Sequence, residues 1–208
     1  MILTPVPRHL LPRALAAFAT ALDNASTARV FRRIAVLAKA VRATERLAAL
    51  HHEQAMCVAR RCGLALRSGP PSAGLSWDGH ALRRETEAYV LLHEVAHDQL
   101  ASPQRRTRAD FGLGPGPETG ARERAARQQT LFGAARDTEE AMASLLGILW
   151  EVELGHPALA SFLDQNWLEG AAPARHFSDV LARLSAGGFI TATGRPTRRL
   201  RRTRDVGD

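Results

Sequence analysis

Two histidines separated by one turn of a helix carry the clearest chemistry in this sequence. His93 and His97 enclose Glu94 in the order His-Glu-Val-Ala-His. On a helix, side chains four residues apart lie on the same face, so both imidazoles can reach one cation. Apolar residues flank the motif at helical spacing, which disfavours a fully solvated face. The motif predicts a metal site in which Glu94 either acts on a metal-bound water or joins the ligands.

A firm site needs at least one more protein ligand, and two adjacent glutamates are the candidates. Glu139 and Glu140 lie near the start of a later predicted helix, ahead of a strongly apolar run. Carboxylates are common at such positions without any metal, because the helix dipole favours negative charge in the first turn. The residues alone favour the helix-dipole interpretation over a metal site, and they do not decide between Glu139 and Glu140.

The metal motif belongs to a longer series of short motifs. A paired arginine and Asp-Phe-Gly follow it, and a helix-opening glutamate, Gly-x-Pro and Leu-Glu-Gly come after a loop. In order and approximate spacing, the series resembles the bacterial elongation factor P hydroxylases over about residues 88–170. The matching residues are His93, Glu94, His97, Arg105, Arg106, Asp110, Phe111, Gly112, Glu140, Gly155, Pro157, Leu168, Glu169 and Gly170.

The resemblance implies an iron-dependent protein hydroxylase. Such a monooxygenase acts on a modified lysine of a translation factor, or of a related protein, with dioxygen as co-substrate. The resemblance further implies that His93, His97 and Glu140 bind a non-haem iron, with Glu139 as the alternative carboxylate. Two histidines and one carboxylate leave coordination positions open, as oxygenase sites require.

Three further residues enter through the same resemblance. Asp110 is a candidate to orient a metal-binding histidine through its second ring nitrogen, and a turn-capping aspartate is the alternative. Arg105 and Arg106 are candidates for contacts with an acidic substrate protein that is similar to elongation factor P. Simple solvation after the end of a helix is the alternative for both arginines.

The sequence departs from the family pattern at three places. Asp98 stands where the family has tryptophan, residues 113–116 replace an aromatic-rich stretch, and Gly147 stands where a second glutamate is expected. The metal-binding half of the resemblance is intact. The departures affect the loops that shape a pocket, so the substrate is left open.

Two other classes of function use the same residues. In a zinc metallopeptidase, Glu94 would act as general base on a zinc-bound water and Glu140 would be the third ligand. A peptidase usually presents a strand edge to its substrate, and the sequence has little strand signal. The third class is a non-enzymatic scaffold that retains a metal motif.

Helices must position these residues, because Ala, Leu and Arg are plentiful and aromatic residues are scarce. The sequence predicts a mainly α, single compact helical domain over residues 1–194 with little β-structure, followed by a basic flexible tail at 195–208. Hydrophobic periodicity and helix breakers predict the individual elements. Helices are expected at 10–22, from Ser26 or Thr27 toward Met56, and at 85–100, 121–131, 138–154 and 174–186, with an extended piece at 75–77.

Charge, hydrophobicity and cysteine content indicate which partners and which cell compartment suit the protein. The formal net charge is +7, and Lys39 is the only lysine among 28 basic residues. This excess favours an acidic protein partner, while nucleic acid is disfavoured because no aromatic residues interleave with the basic tail. No apolar run reaches the ~20 residues of a membrane span. We therefore expect no membrane segment. Cys57 and Cys62 are expected to be buried, reduced thiols, which suits a cytoplasmic protein.

Overall fold

Eight α-helices make up most of the chain that the structure describes. The structure is a computed structural model that describes residues 6–7, 9–36, 45–69, 75–116 and 119–197. The prediction of a mainly helical single domain with little β-structure is confirmed. The helices are α1 (Leu11–Thr20), α2 (Ala25–Ile34), α3 (Glu45–Arg61), α4 (Ala88–Leu100), α5 (Arg122–Arg127), α6 (Gly133–Leu154), α7 (Ala158–Asp164) and α8 (Pro173–Ala186).

Helix α4, which carries the His-Glu-Val-Ala-His motif, lies between α3 and α6 and packs most extensively against α6. Its Leu91, Leu92 and Val95 are fully buried, as are Leu145 and Leu149 of α6. Burying one such side chain stabilises the fold by about 1.5–3 kcal/mol. The metal motif therefore lies on a helix that is fixed on several sides rather than on an exposed surface helix.

An aromatic cluster fills the other part of the core and joins α1, α2, α7 and α8. Ring centroids in this cluster lie 4.6 Å to 6.2 Å apart, mostly in tilted or edge-to-face arrangements. Such arrangements suit the quadrupoles of aromatic rings. The cluster consists of Phe18, Phe31, Phe162, Trp167 and Phe177.

Two short strands precede α4. Strand β1 (Ala65–Arg67) pairs in parallel with strand β2 (Ala81–Arg83), and Trp77 forms an isolated antiparallel bridge with Leu82. The predicted extended piece at 75–77 is thus partly right, since Trp77 is bridged although 75–77 is not itself a strand. Together these pieces bring the segment around Trp77 against α4, where Ser76 forms a hydrogen bond with Glu94.

Several helix boundaries differ from prediction. Asn24, and not Ser26 or Thr27, caps α2, because its Oδ1 accepts a 2.7 Å hydrogen bond from the backbone nitrogen of Thr27. The predicted continuation of this helix toward Met56 crosses residues 37–44, which lie outside the described residues. Gly155 ends α6 in the left-handed conformation, with φ 73°, as the Gly-x-Pro pattern predicts.

Three other predictions concern the whole chain. Cys62 is buried, but Cys57 is exposed, so the prediction of two buried thiols is wrong for Cys57. Cys57 lies on α3 between Met56 and Val58, whose side chains face the core instead. Most of the predicted basic tail, residues 198–208, lies outside the described part of the chain. None of the described helices has both the length and the apolar character that a membrane crossing needs.

Candidate metal centre

Helix α4 presents two imidazoles to the same point. The Nε2 atoms of His93 and His97 lie 3.0 Å apart, and the two rings meet edge to face with centroids 4.6 Å apart. His97 is buried, whereas His93 is partly exposed. This is the arrangement that the four-residue spacing predicts for a helix.

Glu140 of α6 supplies a carboxylate to the same point. Its Oε2 lies 3.4 Å from Nε2 of His97 and 3.9 Å from Nε2 of His93. Across the described residues, these three side chains form the one group of His, Cys, Asp or Glu that could share a cation. We call His93, His97 and Glu140 the metal triad.

The spacing of the metal triad suits a single transition-metal ion. Bonds from histidine nitrogen or carboxylate oxygen to such ions are about 2.0–2.2 Å, so two ligand atoms on one ion lie no more than about 4.4 Å apart. The three observed separations, 3.0, 3.4 and 3.9 Å, all fall below that limit. Two imidazoles and one carboxylate suit both iron and zinc.

The three side chains of the metal triad shift one another's pKa values. Burial, together with the nearby His97, lowers the pKa of His93 to about 3, so this imidazole is neutral. Burial alone would raise the pKa of Glu140, but the hydrogen bond and charge of His97 outweigh burial and lower it to about 2. Burial would lower the pKa of His97, but the hydrogen bond and charge of Glu140 outweigh burial, so this pKa is raised. His93 is thus a neutral candidate ligand, and a cation at the site would compete with the proton that Glu140 favours on His97.

A cavity of about 550 Å³ opens onto the metal triad. Besides Glu140, four carboxyl groups line it, and two of them, those of Glu94 and Asp110, have raised pKa values. Burial raises the pKa of Glu94 to about 7, while a hydrogen bond with Ser76 acts in the opposite direction. Burial also raises the pKa of Asp110 to about 6, against the opposing hydrogen bond from Thr119. Both groups can therefore hold or release protons near neutral pH.

A strained turn forms one wall of the cavity. Asp110 and Phe111 both adopt left-handed backbone conformations, with φ values of 45° and 51°. Such residues cost about 1–3 kcal/mol each and persist only where the surroundings fix them. The ring of Phe111 is fixed by stacking between Trp77, at 5.1 Å, and His97, at 5.8 Å. Asp110 was predicted to orient a metal-binding histidine. Instead its Oδ2 accepts a 2.9 Å hydrogen bond from Thr119, and Nδ1 of His97 has no hydrogen-bond partner among the described residues.

The remaining predicted site residues lie close by but make different contacts. Glu139 does not belong to the metal triad and forms a two-bond ion pair with Arg105. Arg105 also donates a 2.9 Å hydrogen bond from Nε to the carbonyl of Phe111. Arg106 donates a 2.7 Å hydrogen bond from Nε to the carbonyl of Asp98. Both arginines are thus used within the fold, so neither is the simply solvated side chain that one of the two interpretations supposed.

Two hydroxyl groups of the cavity are not predictable from sequence patterns. Ser76 and Thr119 bond to the carboxyl groups of Glu94 and Asp110, respectively. Ser76 lies in a turn-rich stretch and Thr119 in a glycine- and proline-rich loop. No local pattern marks either hydroxyl, because their role depends on contacts between distant parts of the chain.

Comparisons with models of known protein families, with curated proteins and with solved structures found no match to this chain. The resemblance to the elongation factor P hydroxylases therefore stays a prediction from short motifs. The geometry of the metal triad and its cavity carries the functional interpretation.

Proposed function

We propose that this protein is an iron-dependent protein hydroxylase that uses dioxygen as co-substrate. The observation that carries the proposal is the convergence of His93, His97 and Glu140 at one end of a cavity of about 550 Å³. A set of two histidines and one carboxylate is the ligand set of many non-haem iron oxygenases, because it leaves positions open for other ligands.

The reaction replaces a C–H bond of the substrate by C–OH. One dioxygen, two protons and two electrons from an external reductant are consumed, and the second oxygen atom leaves as water. Bound iron would supply the activation of dioxygen. Glu94 and Asp110 line the same cavity, so they are placed to deliver the protons.

The cavity also suits an extended, positively charged side chain. Leu75 and Leu113 provide apolar wall, and the carboxyl groups of the lining, with Glu85 and Asp164 beyond those near the metal triad, outnumber its one arginine, Arg83. A modified lysine, the substrate that the resemblance implies, has both the alkyl chain and the positive charge that such a lining complements. The net charge of +7 favours an acidic carrier protein, such as a translation factor similar to elongation factor P.

Zinc-dependent peptide hydrolysis is the second candidate, and one observation favours it. Glu94 follows His93 directly and has a pKa raised to about 7, which suits a general base that takes a proton from an attacking water. Against it, β1 and β2 are only three residues long and pair with each other. They offer little free strand edge for a peptide substrate.

The test is an oxygenation assay with the full chain. The protein loaded with ferrous iron is mixed with ascorbate, isotopically labelled dioxygen and an acidic translation factor that carries the modified lysine. We expect that the substrate gains one labelled oxygen atom, as measured by mass spectrometry, and that His97→Ala abolishes the gain. An unlabelled substrate with iron bound at the site would contradict the proposal, and cleavage of the substrate by the zinc-loaded protein would favour hydrolysis.

A further inference from the structure

Arg105 connects three segments of the chain around the metal triad. Its Nη1 donates a 2.6 Å hydrogen bond to Oε2 of Glu139, and its Nη2 bonds to Oε1 of the same carboxylate. Its Nε donates to the carbonyl of Phe111. The side chains of Arg105 and Glu139 are only 15% and 13% exposed. All three of these side-chain bonds thus reach residues that neighbour members of the metal triad: Glu139 precedes Glu140, and Phe111 stacks on His97.

We propose that Arg105 is a positioning residue for the metal centre: by holding Glu139 and the Phe111 backbone, it sets the place of Glu140 relative to the two imidazoles. This inference rests on the proposed function, because it supposes that the metal triad binds an ion. We call the contacts of Arg105 with Glu139 and Phe111 the arginine clamp.

The first argument concerns the rotation of α6. Neighbouring side chains on a helix point about 100° apart, so Glu139 and Glu140 cannot both face the imidazoles. Fixing Glu139 through two parallel hydrogen bonds fixes the orientation of this turn of α6, and Glu140 then points at His93 and His97. The same ion pair keeps Glu139 from competing with Glu140 for the ion.

The second argument concerns the strained turn. The carbonyl that accepts the Nε bond belongs to Phe111, whose backbone is left-handed and whose ring stacks on His97. A strained conformation needs external contacts to persist, and the arginine clamp supplies one of them. Arg105 therefore acts on both sides of the metal triad, on Glu140 through α6 and on His97 through Phe111.

A merely structural ion pair would behave differently from a positioning one. Loss of a structural pair lowers the free energy of unfolding but leaves a folded metal site unchanged. Loss of a positioning pair changes the affinity and the ligand geometry of the metal. Substitution of residues that orient metal ligands typically weakens metal binding by about 10–100-fold.

The experiment measures cobalt(II) binding to the full chain, by titration and by the visible absorption spectrum of the bound ion. We expect that Arg105→Ala weakens cobalt affinity by about 10–100-fold and alters the spectrum. Glu139→Ala should do the same. The double variant should lose no more cobalt affinity than the more strongly affected single variant, because both substitutions break the same set of contacts.

Two further variants separate positioning from folding. Arg33→Ala is the matched control, since Arg33 pairs with Glu153 of the same helix α6, about 20 Å along the axis from Glu139. It should keep wild-type cobalt affinity and spectrum even if stability falls. Arg105→Lys keeps the charge but loses the planar fork, so it should shift the spectrum in the same direction as Arg105→Ala even where that variant folds poorly.

Wild-type affinity and spectrum in Arg105→Lys and Glu139→Ala, with cobalt bound, would overturn the inference and leave the proposed function standing. Additive losses in the double variant would also overturn it. A wild-type protein that binds no cobalt would overturn the metal centre itself, and the inference with it.

Discussion

Under the proposed function, the metal triad binds the ion and Glu94 transfers protons. The metal triad consists of His93, His97 and Glu140, and Glu94 does not belong to it. Glu94 instead lines the cavity with a hydrogen bond to Ser76 and a raised pKa. At the residue scale, metal retention and turnover should therefore respond to different substitutions.

Glu94→Gln tests this division, because the amide keeps the size of the side chain but cannot transfer a proton. We expect metal content equal to wild type and a turnover lower by a factor of about 10²–10⁴. Metal content is measured by elemental analysis and turnover by labelled-oxygen incorporation. Loss of the metal would assign Glu94 to the ligand set, and unchanged turnover would remove it from the chemistry.

The parts of the site that the sequence predicts are the local ones. His93 and His97 face one point because both lie on a single helix, and that spacing is readable without any tertiary structure. The choice between Glu139 and Glu140, in contrast, cannot be made from a local pattern. It depends on the rotation of α6 and on Arg105, which lies 34 residues away in the chain. The left-handed backbone at Phe111 likewise has no sequence signal, since a bulky residue rarely adopts it, whereas its neighbours Asp110 and Gly112 are residue types that can.

At the scale of elements, the contact between α4 and α6 sets the distance between the two halves of the metal triad. Gly147 lies at this contact, and a Cβ atom there would be 3.2 Å from Cα and 3.3 Å from N of His93. The family pattern leads one to expect glutamate at this position. A side chain as large as glutamate would not fit here unless α4 moved, and this explains physically why glycine occupies the position.

Gly147→Ala should force α4 and α6 apart by a few tenths of an ångström. Overpacking costs about 1–3 kcal/mol, and the better helix propensity of alanine returns about 1 kcal/mol, so we expect a net loss of about 1 kcal/mol. We also expect weaker cobalt binding, because His93 moves relative to Glu140. Urea unfolding and cobalt titration measure the two effects, and a more stable variant with unchanged affinity would contradict the account.

Elements with a strong periodic pattern were predicted well, and elements made by tertiary contact were not. The metal helix and α8 were found within a few residues of their ends. Helix α7 was missed, because only seven residues follow Pro157 before the chain turns again. Helix α6 begins at Gly133, five residues before the predicted start, since the Gly-Ala-Ala stretch there lacks a clear cap or apolar stripe.

At the scale of the whole molecule, a buried carboxyl group ties stability to pH. Glu151 of α6 is 3% exposed, and its Oε2 has no hydrogen-bond partner among the described residues. Burial raises its pKa to about 7, against the opposing hydrogen bond with Ser161. The folded protein therefore binds this proton more tightly than the unfolded chain, whose glutamates titrate at their ordinary, lower pKa.

The sign of the effect follows from this difference in proton binding. The contribution of Glu151 to stability is fully present below the pKa of the unfolded chain and is lost as pH rises through about 7. Between pH 5 and pH 8, the wild-type free energy of unfolding should fall by on the order of 3 kcal/mol because of Glu151, and Glu151→Gln should not show this fall. Urea unfolding of both proteins with a metal chelator present checks this, and equal pH dependence in both would show that Glu151 is ionised throughout.

The composition of the chain predicted its class but not its partner. Abundant Ala, Leu and Arg favoured a helical domain, and the described structure is mainly helical. The net charge of +7 is consistent with an acidic protein partner without identifying one. Partner, metal identity and location in the cell stay predictions, because they depend on molecules outside the chain.

Elemental analysis of the protein purified without added metal, alongside His93→Ala, tests the central claim most directly. The account predicts about one iron per wild-type chain and a large loss of iron in the variant, with both proteins folded by circular dichroism. Stoichiometric zinc that persists after growth in iron-rich medium would support the triad but favour hydrolysis. No metal in either protein, or the same metal content in both, would contradict the metal centre on which the account depends.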